Sequence, residues 1–462
     1  MGRSISRRQL LTGLGALAAY GGVSAALSAC VAPAPQVVRE TVVAEKEVEK
    51  VVTPTSEVIE LKIGGWFDKG TQATVEKQLS LFSQQFPNVK VSIVVMEFEV
   101  RKSLVMFAAG TGPDVFWVNN DQTAPWASRK VLHPLDDLVD RDSIDLSDFY
   151  EAGIKVYSYE GVLYGIPEYL GCLMLLVNPL LFEAGGVPLP PTDYRDPSWT
   201  LDALLEKAKA LTKRPATGPA EQYGLFISTS INRWFPVLWD FGGDVMDDWE
   251  HPTRISFDSN ETREAIQWVA DLRLKHGVTA TAAEAQGMPD SAQFTTGKLA
   301  MWLEGPWYWP WISTEEIRNK VPWQVFPLPK GPKGQFTRLA GDAYGMWSGT
   351  RNPDMAWELL KFVTIGEGAE VFWSPELCKG VPPIKSLAED PRWGAWFSPE
   401  SKQAVIDLGA YARFSPKHPN WAEIFSKLSP PLEQVWIGQR PIDEAVREAQ
   451  TEMEDAMKRA AG

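Results

Sequence analysis

The chain has 462 residues, with 45 Lys or Arg against 59 Asp or Glu and a formal net charge of −14. No Lys/Arg-rich run stands out, which excludes nucleic acid as an expected partner, because binding it rests on counterion release by basic side chains. Three Cys without a CxxC and four scattered His (His133, His251, His276, His418) lack the spacing of a zinc site, and neither metal nor cofactor is expected.

At the N-terminus, Arg3, Arg7 and Arg8 precede an apolar stretch from Leu10 to Leu27 and then Leu27-Ser28-Ala29-Cys30. That order of charge, apolar core and small residues predicts an export signal over residues 1–29. Diluted by Gly and Ala, the core is short for a permanent membrane span. Ser6-Arg7-Arg8-Gln9-Leu10-Leu11 resembles a twin-arginine signal. The last four residues resemble a lipobox, in which Cys30 becomes acylated and holds the chain on a membrane. Loss of Arg3, Arg7 and Arg8 with the signal takes the formal charge from −14 to −17. Residues 30–57, Pro/Ala-rich and then mixed Val, Glu and Lys, read as a tether. The expected location is the outer face of the plasma membrane, or the periplasm.

From Val58 the pattern becomes α/β. Ile59, Leu61 and Ile63 alternate as a strand ending at Gly64-Gly65, and Val75, Leu79, Phe82 and Phe86 form one face of a helix stopped by Pro87. Val89, Val91, Ile93 and Val95 alternate again. A helix over 101–109 follows, and then a buried strand, Val115-Phe116-Trp117-Val118. Strand, helix, strand, helix, strand implies a parallel, doubly wound sheet. Ligands on such sheets sit beyond the strand C-termini, which places Trp66, Asp68, Asn120 and Asp121 on one rim. Thr200 caps a helix carrying Leu201, Leu204, Leu205, Ala208 and Leu211. Asp258-x-x-Glu261 reads as a capping box opening a helix that ends at Gly277. The acidic run Asp244, Asp247, Asp248, Glu250 lacks calcium-loop spacing and reads as a solvated turn. Cys172 and Cys378 read as two free buried thiols, with pairing left open. A chain of this length needs more than one core, so two domains are expected. Twenty Trp beside 11 Tyr supply flat faces with a polar edge, a good match for ligands that are apolar-faced and hydroxyl-rimmed. Sugars are such ligands.

Gly112-Pro113-Asp114-Val115, Leu132-His133-Pro134-Leu135-Asp136, Tyr164-Gly165-Ile166-Pro167 and Ser198-Trp199-Thr200 occur in that order. Phe294-x-x-Gly297-Lys298-x-Ala300-Met301, Glu304-Gly305-Pro306-Trp307 and a late helix from Ala356 to Phe362 follow. In this succession the chain resembles the family 1 extracellular solute-binding proteins, the maltose-binding-protein-like class. The resemblance implies a two-lobed periplasmic-binding-protein fold, α/β throughout, with doubly wound sheets, an interlobe hinge and a ligand cleft. It implies lobe one as 58–168 plus 321–368 and lobe two as 169–320 plus 369–462, with crossings near Pro167, Val321 and Gly368. The implied function is capture of a sugar or oligosaccharide and its delivery to the membrane subunits of an ABC transporter, by a monomer with no catalytic residue.

By that resemblance Trp307, after Gly305-Pro306, matches a position that stacks on a sugar ring, and Trp117 matches a sugar-contacting Trp. Asp342 and Tyr344 match a loop entering the cleft. Glu304 precedes the Gly-Pro-Trp turn, and Trp234, Trp239 and Trp421 are further aromatic candidates. Gly171 stands where maltodextrin binders carry a ligand-facing carboxylate, so a different sugar is expected. Three other readings stay open. One is a surface glycosidase with Glu304 and Asp342 as paired carboxylates, which requires about 5–9 Å between them. Another keeps the fold but binds a polyamine, ferric ion or peptide. The third is a sensor presenting liganded protein to a receptor.

Overall fold

The computed structural model describes residues 58–97, 100–229, 232–373 and 379–459. The export signal, Cys30, the tether and Cys378 lie outside these residues.

Strand β1 (Ile59–Gly65) buries Leu61 and Ile63 by alternation. Helix α1 (Lys69–Gln85) is capped by Asp68, whose carboxylate accepts from the Thr71 N–H at 2.8 Å, and it buries Val75 and Phe82. Strand β2 (Val89–Val95), helix α2 (Val100–Ala108) and strand β3 (Val115–Asn119) follow. β2 and β3 flank β1, both parallel to it, as expected of helical crossovers. Beyond β3, a one-turn 3-10 helix (Asn120–Gln122) runs into α3 (Thr123–Ser128).

The chain continues through β4 (Ile166–Cys172), β5 (Met174–Val177), α4 (Leu201–Leu211), β6 (Tyr223–Ile227), α5 (Asn260–Leu274), β7 (Leu299–Glu304), β8 (Gln324–Phe326) and β9 (Thr337–Met346). After these come α6 (Pro353–Thr364), α7 (Glu367–Phe372), β10 (Ala412–Arg413), α8 (Trp421–Ser426) and α9 (Ile442–Lys458). One sheet has the order β10-β9-β3-β1-β2, with β4 also paired to β9, and the other is β8-β5-β7-β6. Each sheet packs a core of its own, and a further cluster, with Leu170 and Leu339 from the first sheet and Leu176 and Trp302 from the second, joins them. Phe82, Trp117, Tyr344 and Trp357 pack on the first, while Leu204, Trp234, Ile266 and Met453 pack on the second. The molecule is two-lobed.

The chain leaves the first sheet at Leu173, between β4 and β5, and returns between β8 and β9. After α7 the chain goes over again to the second core, where α8 and α9 pack. Helix α5 is capped by Ser259, which accepts from the Thr262 N–H, rather than by Asp258. Asp258 instead pairs with Arg263. Thr200 caps α4 as expected. Cys172 is a free, buried thiol. Among the described residues, no helix is long and apolar enough to cross a membrane.

Candidate functional site

Between the two sheets lies a cavity of about 860 Å³, inside the range of about 300–1,000 Å³ usual for small-molecule sites. The first sheet presents its strand ends there. Trp66, just past β1, is half-buried and rests on Trp117 with ring centroids 5.6 Å apart. Asn119 ends β3 and organises the corner. Its amide donates to Asp342 Oδ1 at 2.9 Å, while its Oδ1 accepts from the Asp121 N–H.

Asp342 is wholly buried on β9. A bulge opposite it, where β4 carries the extra residue Glu168, aims it at the wall, because Tyr169 pairs with Asp342 and Pro167 with Ala343. Tyr169 donates its hydroxyl to Asp342 at 2.7 Å. Burial pushes the Asp342 carboxyl up, opposed by the Lys379 charge and by donors from Tyr169, Asn119 and Trp66. Four residues earlier on the same strand, Arg338 pairs with Asp121 at 3.1 Å.

The second sheet supplies the opposite aromatic wall. Strand β7 ends at Glu304, and the 3-10 turn Pro306–Tyr308 brings Trp307 back across it. A Cβ on Gly305 would stand 2.0 Å from the Trp307 ring, so only glycine allows this fold-back. The Arg233 guanidinium lies over the Trp307 ring at 4.4 Å. Its Nε donates to Glu304 at 2.9 Å, and the Gly305 N–H donates to the same carboxylate. Burial pushes the Glu304 carboxyl up against the pull of Arg233. Trp421 opens α8 and closes the cavity from a third side. Arg129 on the first-sheet side donates to Pro419 O and Asn420 Oδ1 at 2.6 and 2.9 Å, spanning to that helix.

Of the residues singled out from sequence, Trp66, Asp121, Trp307, Asp342 and Trp421 line this cavity. The others lie off its wall. Asp68 caps α1, and Asn120 turns its amide onto Asp121. Trp117 and Tyr344 are buried in the β3–β9 ladder, with Trp117 supporting Trp66 from behind. Trp234 is in the second-lobe core against Trp436, and Trp239 donates to Asp244. Glu304 is held by Arg233 and does not reach the wall, so it does not face Asp342 across one space. Gly171 is covered by the Pro306 ring, 3.0 Å from where a Cβ would be, so a side chain there would press on that ring.

Sequence reasoning missed Tyr169, Asn232, Arg233, Arg338 and Lys379, all on the wall. A signal existed for Arg338, the only charge between Lys333 and Asp342 in a glycine-containing run. None existed for Lys379, whose partners come from distant strands.

The family model described as bacterial extracellular solute-binding protein matches residues 64–367. A binding protein of Brucella abortus is 22% identical over 411 residues, covering 86% of this chain and 91% of its own. The arabinooligosaccharide-binding protein of Halalkalibacterium halodurans is 23% identical over 267 residues, 55% of this chain and 53% of its own. The ABC substrate-binding protein Lmo0181 from Listeria monocytogenes, solved with cycloalternan, shares the fold with a TM-score of 0.76 at 20% identity, covering 87% of this chain and 100% of that one.

Proposed function

The chain belongs to the bacterial extracellular solute-binding proteins, and we propose that it captures a sugar or oligosaccharide in the cleft and hands it to an ABC importer. The carrying observation is the wall itself: Trp66 and Trp307 present aromatic surface, with the buried Trp421 behind a third side, around buried, already oriented polar groups such as Asp342, Asn119 and Arg338. Aromatic faces take up the apolar faces of a sugar ring, and fixed donors and acceptors read its hydroxyl rim. The sugar-binding relatives named above support this reading. No bond is made or broken: capture is reversible, and closure about the chain passages between the two sheets forms the species the importer recognises. Export by the signal over 1–29 and acylation of Cys30 complete the proposal, keeping the monomer beside its membrane partner.

Titration of wild type and Trp307→Ala with a bound oligosaccharide tests it. Loss of the indole weakens binding at least about tenfold, roughly 1.4 kcal/mol, and moves the ligand-free melting temperature by only a few degrees, since Trp307 is half-buried. Equal affinity in the two proteins removes Trp307 from the site.

A further inference from the structure

The cleft is basic in an acidic protein. Its wall carries Arg129, Arg233, Arg338, Lys379, Lys427 and Arg459 against Asp121, Asp342 and Glu423, in a chain of net charge −14. The three acids are already engaged, Asp121 by Arg338, Asp342 by Tyr169 and Asn119, and Glu423 by Arg459.

Several cationic donors are not engaged. Lys379 is 9% exposed, its ammonium 4.4 Å over the Trp117 ring and 5.5 Å over the Tyr169 ring, and it makes no hydrogen bond or ion pair with any described residue. Arg233 uses only Nε, on Glu304, which leaves both terminal nitrogens without a partner among the described residues. Arg338, 3% exposed, donates from Nη2 to Asp121 and, with the Asn232 amide oxygen turned toward it, from Nε and Nη2 to Asn232, while Nη1 bonds nothing among the described residues. Burial lowers the Arg338 pKa; Asp121 opposes this, and the nearby Arg233 charge adds to it. A buried donor nitrogen without an acceptor is costly, and an arriving carboxylate can accept from the unused nitrogens of such forks.

Resting on the sugar-capture reading, we propose that the natural ligand is an anionic saccharide, a uronic acid or an oligosaccharide containing one, with its carboxylate between Arg233 and Arg338 and Lys379 on the same wall. The same wall repels a polyamine.

Calorimetric titration of the purified protein with a panel of hexuronic acids and uronic-acid trisaccharides tests this, each beside its methyl ester, which keeps the ring and removes the charge. A free acid binds at least about tenfold tighter than its ester at low salt, and the ratio shrinks as ionic strength rises. Lys379→Met lowers the acid-to-ester ratio severalfold. Arg233→Gln does the same by a second route. Esters or neutral sugars binding as well as every acid would overturn the charge inference and leave sugar capture standing. If every saccharide is silent and a polyamine binds, both readings fall.

Discussion

At the scale of single residues, Glu168 is the group whose charge state is most constrained. It is the bulged residue of β4, 2% exposed, and it lies among Lys379, Asp342, Trp117 and Tyr344. Burial pushes its carboxyl well above the usual range, opposed by the Lys379 charge. An acid whose folded pKa exceeds its unfolded one binds more protons when folded, so stability falls as pH rises from about 4.3 toward the folded value. Glu168→Gln should flatten that fall in denaturant melts between about pH 4 and 8. A variant that instead loses stability at neutral pH would mean a charged Glu168 paired with Lys379, and would also remove Lys379 as a free cation. Trp66 was legible in the sequence because strand alternation and the glycines after it fix where β1 ends. Trp117 and Tyr344 were not, since they share a ladder with cleft residues and only the sheet's sidedness hides them.

At the scale of elements, the strands and helices of the first sheet followed from period-2 and period-3.6 patterns. Their ends depended on chemistry that the pattern leaves ambiguous: Asp258 and Ser259 are both good caps, and the choice fell to Ser259 because Asp258 is taken by Arg263. The packing of β6 on α4 was invisible in sequence. There Gly224 lets the strand approach so closely that a Cβ would stand 1.9 Å from the Ala208 carbonyl oxygen. Gly224→Ala should therefore cost about 1–3 kcal/mol of stability, seen as a lower melting temperature. Because the position lies away from the cavity wall, ligand affinity measured well below the melt should stay unchanged.

At the scale of the whole molecule, two sheets, each with a core on its outer side and a third cluster shared between them, are joined by more than one passage of the chain, a frame suited to closing on a ligand about those passages. Small-angle scattering should show a smaller radius of gyration with saccharide than without it, and an unchanged radius would argue against closure. The two-lobed plan was readable from the order of short motifs, whereas the pairing of strands distant in sequence, such as β4 with β9, was not, because no local pattern encodes it.

The most direct test is a thermal-shift screen of the purified protein against neutral saccharides, uronides and polyamines. A ligand that binds only the folded state raises its apparent stability by RT ln(1 + [L]/Kd). The account predicts a concentration-dependent rise with one or more saccharides, lost in Trp307→Ala, and none with polyamines. A rise with polyamines alone, with every saccharide silent, would contradict it.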